Sequence, residues 1–271
     1  MGDKRTRSVL AVFAHPDDES LMCGGTLARL ADAGVRVVLM CASRGERGSV
    51  SDPALVPDGD LGAVRVRELR EAAAVLGIDE VVALDHSDGD LRWNDVPEFH
   101  ADIVAAIERH RPEAVITFAE NGFYWHLDHI GVHERTYTAV QSFGSGAPPL
   151  YYVTMPKGII RQLVDAVHAK GGASVASSFW GIEPDAFGEA EMPVSFAVDV
   201  RSWIGRKLAA LHCHRTQMGL HNPIAWLDED DARQWLGYEY FRRSPLGCSP
   251  GDTALDELAL GSEKSEVRSQ K

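Results

Sequence analysis

Several features that define common protein classes are missing from this 271-residue chain. No apolar run approaches the roughly 20 residues of a membrane-spanning helix, and the apolar run near the N-terminus is too short for a signal peptide. Neither a GxGxxG pattern nor a P-loop is present, which argues against nucleotide binding. Lysine and arginine (27) are outnumbered by aspartate and glutamate (40), and the formal net charge of −13 argues against general nucleic-acid binding.

Cysteine is also scarce. The four cysteines are Cys23, Cys41, Cys213 and Cys248. They show no CxxC spacing and are interpreted as small buried side chains or surface thiols. With no signal peptide predicted, a reducing, cytoplasmic location is the simplest interpretation.

The composition that remains is typical of a globular protein, with 45% hydrophobic and 25% charged residues. A chain of this length can bury a substantial core. We expect a single domain over residues 1–248, in which the less regular part 150–248 completes a pocket. Residues 249–271 are predicted to form a polar tail, with a composition typical of partial disorder.

Strand-like and helix-like segments alternate through the first half of the chain. The predicted pairs of strand and helix are 9–13 and 25–32, 35–40 and 65–76, 81–84 and 99–109, and 114–118 and 130–140. This alternation predicts an α/β fold, a Rossmann-like three-layer α/β/α sandwich with a mostly parallel sheet. The pattern is weaker after residue 149, where the predicted elements are strands over 151–153 and 195–200 and helices over 161–169 and 202–212.

A long loop rich in Gly, Pro, Ser and Asp lies between Gly45 and Gly62, directly after a predicted strand. Loops of this length either line a functional site or form a surface excursion. The sequence leaves both interpretations open.

The hexapeptide Ala14–Glu19, AHPDDE, lies between a predicted strand and a predicted helix. Open α/β sheets bind their ligands at such junctions, and the helix dipole favours negative charge there. Helix capping accounts for one acidic residue. It does not account for a histidine followed by two consecutive aspartates. Because imidazole and carboxylate groups bind Zn²⁺ and Fe²⁺, the hexapeptide predicts part of a metal site.

A second cluster, Tyr124–His129 (YWHLDH), follows the predicted strand 114–118. Catalytic metal sites use three protein ligands and leave one position open. His15, Asp18 and His129 would supply such a set. The two clusters converge only if their strands lie near each other in a parallel sheet, so the metal hypothesis also predicts a topology.

The other polar side chains of the two clusters suit the hydrolysis of an amide. Asp17 diverges from Asp18 if both begin a helix, and it is therefore the predicted general base. His126 is the predicted acid for the leaving nitrogen, or the donor to the oxyanion, as an imidazolium. We expect Asp128 to orient an imidazole and the hydroxyl of Tyr124 to reach the same oxyanion.

Further polar residues fall near the same predicted edge of the sheet. Arg44 ends the second strand and Asp88 follows the third, so both lie at the predicted ligand-binding edge as candidate substrate-binding residues. Arg65 and Glu68 are one helical turn apart, which fits a surface ion pair. His214 follows a predicted helix, where a histidine could simply cap the C-terminus.

Taken together, these motifs resemble the PIG-L/LmbE-like family of zinc-dependent deacetylases. That family includes N-acetylglucosaminyl-phosphatidylinositol de-N-acetylases and the deacetylase and conjugate amidase of mycothiol metabolism. The resemblance runs in order through most of the chain. Its motifs are AHPDDE, Gly24-Gly25, Arg44-Gly45-Glu46, the helix 65–77, Asp88-Gly89, His126-x-Asp128-His129 and His214-x-Thr216-Gln217.

The resemblance implies that His15, Asp18 and His129 bind Zn²⁺ or Fe²⁺, that Asp17 is the base, and that His126 is the acid or oxyanion group. It places substrate contacts near Arg65 and Asp88. Leu127 departs from the family, which usually has proline there. Trp125 is interpreted as packing in the wall of the site.

The function implied is metal-dependent removal of an N-acyl group, most often acetyl, from an N-acetylglucosamine-type sugar or glycoconjugate. An amidase of a thiol conjugate would share the site and differ in its pocket. A two-His-one-carboxylate Fe(II) oxygenase uses the same ligand types, but the βα pattern and the second aspartate argue against it. A sugar- or nucleotide-binding module would not need Asp17 and His126. The expected partner is a small-molecule sugar, and a homo-oligomer is compatible with the sequence.

Overall fold

A computed structural model describes residues 7–171, 179, 182–188, 194–219, 222–246 and 255. The helices are α1 (Asp18–Asp32), α2 (Leu61–Leu76), α3 (Val96–His110), α4 (Gly122–Trp125), α5 (Leu127–Gln141), α6 (Ile159–Gly171), α7 (Ile204–Cys213) and α8 (Glu229–Trp235). The strands are β1 (Ser8–Phe13), β2 (Arg36–Cys41), β3 (Glu80–Ala83), β4 (Ala114–Phe118), β5 (Leu150–Thr154), β6 (Phe196–Asp199) and β7 (Tyr238–Arg243). Among these residues no helix combines the length and apolar character of a membrane span.

The strands form one sheet in the order β3-β2-β1-β4-β5-β7-β6. The first five strands of that order are mutually parallel, and β7 runs antiparallel to both β5 and β6. Helices α1 and α2 connect strands toward the β3 edge, whereas α3 and α5 connect strands in the opposite direction. Because such crossovers are right-handed, the two pairs lie on opposite faces of the sheet. The predicted three-layer α/β sandwich is confirmed.

The strand order also fulfils the topological condition of the metal hypothesis. β1 and β4 are direct neighbours, with Val9 opposite Ala114 and Ala11 opposite Ile116. Their carboxyl ends therefore lie side by side, and β2 flanks β1 on its other side. All residues of β1 and β4 are buried, as expected for central strands covered on both faces.

Two elements of the second half, α8 and β7, were not predicted from the sequence. In β7, Glu239 and Phe241 face the core, so a charged residue occupies one of the positions that should reveal the strand by its hydrophobicity. The Glu239 carboxylate is paired with Lys207 Nζ at 2.6 Å, and both side chains are buried. The pairing explains why the strand tolerates this charge.

Helix α1 begins at Asp18, seven residues before the predicted start, and it is kinked at Cys23. After the kink, the backbone N–H groups of Gly25 and Thr26 donate to the two carboxylate oxygens of Glu239 at 2.8 and 2.7 Å. The strand β7 thus supplies the cap for the second half of α1.

The described part of the predicted tail contains one packed residue. Leu255 is fully buried, and its backbone N–H donates to the hydroxyl of Tyr151 at 3.2 Å. The other residues of 249–271, like Cys248, lie outside the described residues. The domain limit at residue 248 stays a prediction.

Candidate active site

The predicted site residues lie where three neighbouring parallel strands end. The segment 14–18 follows β1, the segment 42–48 follows β2, and the segment 119–129 follows β4. Parallel strands present these ends at one edge of the sheet, so residues more than a hundred positions apart meet there.

His15, Asp18 and His129 form the centre of the cluster, and all three are buried. His15 Nδ1 lies 3.3 Å from His129 Nε2 and 3.5 Å from Asp18 Oδ2. His129 Nε2 lies 3.3 Å from Asp18 Oδ1. The three predicted ligand residues thus place their donor atoms around one small volume.

Hydrogen bonds fix which ring nitrogens face this volume. His129 Nδ1 lies 3.0 Å from the carbonyl oxygen of Gly122, so it carries the proton and leaves Nε2 with a lone pair. His15 Nε2 faces two carboxylates and is likewise the protonated nitrogen, which leaves the Nδ1 lone pair. Two lone pairs 3.3 Å apart require a proton or a cation between them. The donor set therefore fits a divalent metal ion.

Two carboxylates lie against the outer ring nitrogen of His15. Asp88 Oδ1 and Asp128 Oδ2 each lie 3.1 Å from His15 Nε2. Asp128 also accepts backbone N–H groups from Gly89 at 2.7 Å and Leu91 at 3.0 Å, which fixes its orientation. Asp128 thus makes the predicted contact with an imidazole. Asp88 makes one that was not expected from the sequence.

The titration behaviour of the cluster follows from this charge pattern. Burial lowers the pKa of His15, but the carboxylates of Asp128, Asp18 and Asp88 outweigh burial and raise the pKa well above its ordinary value. Burial opposes ionisation of Asp18, yet His129 and His15 hold its pKa well below the usual range. The pocket stabilises positive charge at its centre, as a cation site must.

Two further triads of ligand atoms lie within 4.8 Å of one another among the described residues. One combines His15 with His126 and His129, and the other combines His15 with Asp88 and Asp128. Both contain His15, so they are extensions of one cluster rather than separate sites.

Asp17 directly precedes Asp18, and its carboxylate pairs with Arg65 rather than with His15 or His129. Its carboxylate Oδ2 accepts a hydrogen bond from Arg65 Nη2 at 3.0 Å. Burial raises the pKa of Asp17 to about 6, with Arg65 opposing that rise. A carboxylate with a pKa close to neutral can take up a proton at physiological pH, which a general base requires. Its φ of 131° is one that side chains rarely adopt, so the surroundings impose this orientation.

Arg65 holds Asp17 and the neighbouring backbone in place and is not part of a surface ion pair. Its guanidinium also donates to the carbonyl oxygens of Pro16 at 2.7 Å and Gly45 at 3.0 Å. Arg65 and Glu68 are both buried, and Glu68 instead accepts from the backbone and hydroxyl of Thr216 at 3.0 and 2.6 Å. The surface-pair interpretation is wrong, because helix α2 turns this side toward the protein interior.

Gly45 allows Arg65 to approach this closely. A Cβ at Gly45 would lie 2.3 Å from Arg65 Nη1, and the residue has a φ of 64°. We expect Gly45→Ala to displace the guanidinium from Asp17 and to lower kcat by about tenfold or more, because small misplacements of catalytic groups are costly. The matched control is Gly59→Ala, where φ is 74° but no atom lies within 4 Å of the added Cβ. Equal kcat values for the two variants would contradict the role of Arg65 in positioning Asp17.

The rings of His126 and Tyr124 lie next to the central histidine rings. The ring centroid of His126 is 4.6 Å from that of His129 and 5.0 Å from that of His15. The Tyr124 ring lies 5.6 Å from that of His126. Burial raises the pKa of the Tyr124 hydroxyl, so it remains a donor. Tyr124 and His126 are therefore close enough to act on one substrate group.

The protonation state of His126 differs from the expectation. Burial, with His129 and His15 nearby, lowers its pKa to about 4, so the ring is neutral near pH 7 rather than an imidazolium. Its Nδ1 accepts the backbone N–H of Asp128 at 3.3 Å, which leaves the proton on Nε2. His126 can thus donate a hydrogen bond as a neutral ring.

Sequence reasoning missed the role of His214. His214 follows the last residue of α7, and its Nε2 lies 2.8 Å from Oε1 of Glu19 on α1. Glu19 Oε2 in turn accepts the backbone N–H of Asp17 at 3.1 Å. His214 was found as a motif, and its partner Glu19 could have been inferred only from the fold.

Arg44 and the long loop are placed at the rim. Arg44 Nε lies 2.6 Å from Asp85 Oδ1, and both side chains are partly exposed. The first part of the loop is packed, because Ser51 N donates to the carbonyl of Thr216 at 2.8 Å and Arg47 N donates to Asp88 at 2.8 Å, whereas residues 52–54 and 57–60 are exposed. This first part therefore lines the site, as one of the two interpretations predicted.

Comparison with known proteins gives three relevant matches. The family described as PIG-L, GlcNAc-PI de-N-acetylase, matches residues 10–140. A 1D-myo-inositol 2-acetamido-2-deoxy-alpha-D-glucopyranoside deacetylase of Thermobispora bispora is 32% identical and covers 89% of this chain and 88% of its own. Among solved structures, the N,N'-diacetylchitobiose deacetylase of Pyrococcus horikoshii has a TM-score of 0.57 at 22% identity, over 88% of this chain and 84% of that chain.

A further solved structure shows the limit of the fold as evidence. The 4-carboxy-2-hydroxymuconate hydratase of Pseudomonas putida has a TM-score of 0.63 at 19% identity, over 91% of this chain and 99% of that chain. A fold that carries both a hydratase and a deacetylase does not determine the reaction. The sequence relationship is more specific, and the matched segment holds both motif clusters. The chain belongs to the PIG-L family of GlcNAc-PI de-N-acetylases.

Proposed function

We propose that this chain is a metal-dependent hydrolase that removes the acetyl group from the nitrogen of an N-acetylglucosamine-type sugar. The observation that carries the proposal is the convergence of His15, Asp18 and His129 around one volume, with Asp17, the residue before Asp18, held by Arg65. The Thermobispora relative, named as a deacetylase of such a sugar, supports the substrate class.

The proposed ligands are His15, Asp18 and His129, and the proposed metal is Zn²⁺, with Fe²⁺ as the alternative. When bound there, the ion would polarise the acetyl carbonyl and acidify the attacking water. Asp17, held by Arg65, takes the proton from that water. His126 Nε2–H and the Tyr124 hydroxyl donate to the oxyanion that forms when the carbonyl oxygen becomes negatively charged.

The proton taken up by Asp17 must then reach the leaving nitrogen. The pKa of about 6 allows Asp17 to hold this proton and to release it to an amine. The neutral His126 ring is then a hydrogen-bond donor throughout the reaction and not the acid that the imidazolium hypothesis assumed. Asp88 and Asp128 orient His15 through its Nε2.

Hydrolysis fits this site better than the alternatives. An oxygenase with the same ligand types does not need a general base such as Asp17, held in place by Arg65. A conjugate amidase would use the same residues, so the amide cleaved depends on the pocket and not on the metal centre. The predicted substrate contacts of Arg44, Arg65 and Asp88 stay predictions, as do the cytoplasmic location and the homo-oligomer.

Metal analysis and amine release test the proposal. We expect His129→Ala to lose the bound metal and all release of amine from N-acetylglucosamine glycosides, because two ligands and a water do not make a stable catalytic site. Chelation of the wild type should abolish amine release, and added Zn²⁺ should restore it. His100→Ala, a histidine on α3 outside the cluster, is the control and should keep its metal. Normal metal occupancy in His129→Ala would disprove the ligand assignment.

A further inference from the structure

The loop that carries Tyr124 and His126 contains two bulky residues in backbone conformations that favour glycine. Phe123 has a φ of 72° and Trp125 a φ of 67°. For residues with a Cβ this region brings side chain and carbonyl oxygen into conflict, whereas glycine enters it freely. The unfavourable backbone energy at each of these aromatic residues therefore has to be offset by an interaction of its side chain.

Packing supplies this interaction for Phe123 and not for Trp125. The Phe123 ring is buried and lies 5.8 Å from that of Phe187. Trp125 is 69% exposed, the highest value among the exposed large apolar side chains of the described residues, so the predicted wall packing is wrong. Burial in the folded chain does not account for an exposed indole on a strained backbone, and such strain concentrates at functional sites.

A second exposed apolar residue follows Trp125 two positions later in the chain. Leu127 is 49% exposed, and these two residues flank His126, whose ring contacts the central histidines. On the opposite side, after β2 and β3, the rim is charged, with the pairs Arg44–Asp85 and Arg47–Asp90, both at 2.6 Å. The charged pairs thus lie toward β3, whereas the segment after β4 carries the two exposed apolar side chains together with Glu120, which pairs with Arg242.

We propose that Trp125 and Leu127 bind an apolar aglycone, so that the preferred substrate is an N-acetylated amino sugar joined to an aryl or alkyl group. This inference rests on the proposed function and specifies its substrate class. The charged rim suits the sugar hydroxyls. The indole and the leucine side chain gain free energy when an apolar group covers them, and a polyol does not provide this gain. Both residues then determine specificity and take no part in the chemistry.

The test compares phenyl and methyl glycosides of N-acetylglucosamine, in both anomers, as substrates for amine release. In the anomer that reacts faster, the wild type should prefer the phenyl glycoside over the methyl glycoside by about tenfold in kcat/KM. This is the range expected for one aromatic contact. Trp125→Asn and Trp125→Gly suit the backbone but lack the indole, and the preference should fall to near one through a higher KM for the phenyl glycoside. Trp125→Phe keeps a flat apolar face and should retain most of the preference.

The outcomes separate this inference from the proposed reaction. A wild type without phenyl preference, or an equal loss for both glycosides in Trp125→Asn, overturns the apolar site and leaves the deacetylase intact. If neither glycoside releases amine, the proposed reaction fails, and calorimetric Kd values for the two glycosides decide the apolar site by the same ratio. Thermal melting of each variant checks folding, and neither Asn nor Gly should lower Tm, because both relieve the strain at φ 67°.

Discussion

Asp17→Asn should retain the metal and the fold but release amine at least about a hundredfold more slowly than the wild type, the usual cost of losing a general base. The amide side chain has the same shape and can still accept the hydrogen bond from Arg65, so the geometry around Asp17 persists. What the variant cannot do is take up a proton. The measurement is kcat for amine release, together with metal content by atomic absorption.

A matched substitution controls for the loss of one negative charge. Asp60 caps α2 through a hydrogen bond from Ala63 N at 2.9 Å, and asparagine serves equally well in that position. Asp60→Asn should therefore have the kcat of the wild type. Full activity in Asp17→Asn would remove the base assignment, and loss of metal would show that Asp17 supports the centre rather than the reaction.

Lys207→Met should be the most destabilising of the substitutions discussed, with a loss of about 3 to 5 kcal/mol in the free energy of unfolding. Lys207 Nζ pairs with Glu239 at 2.6 Å, and both side chains are almost completely buried. Without the ammonium group, the carboxylate stays buried, and its remaining donors among the described residues are the N–H groups of Gly25 and Thr26. For a chain of this size we expect Tm to fall by roughly 10 °C.

Calorimetric melting of the wild type and three variants tests this prediction. Lys170→Met removes an exposed lysine from its pair with Asp231, and its Tm should stay close to that of the wild type, because exposed ion pairs contribute little. The double variant Lys207→Met and Glu239→Gln should recover part of the loss, since it no longer buries an unpaired charge. A Tm for Lys207→Met equal to that of Lys170→Met would refute the argument.

The sequence predicted the first six strands and the convergence of the two clusters because both depend on local signals. Apolar runs such as Val9–Phe13 mark central strands, and the acidic turn after that run marks a ligand-binding edge. It could not predict contacts that arise from long-range folding. Glu239 on β7 caps α1, and Glu19 meets His214, each across roughly two hundred residues of chain.

The protonation states belong to the same category. The neutral ring of His126 and the raised pKa of Asp17 result from burial among neighbours on other strands, which no spacing in the sequence expresses. Trp125 shows a second kind of difference. Its residue type suggested packing, whereas in the structure it is exposed on a backbone with positive φ.

The cap that β7 places on α1 has a consequence for how the protein is made. All proposed metal ligands have been synthesised by residue 129, yet Glu239 and His214, which hold α1 in place, come much later. A growing chain on the ribosome therefore carries every ligand before it can fix their positions. We expect the ion to be captured late, after translation has passed residue 239, and earlier fragments to expose imidazoles and carboxylates without a defined geometry.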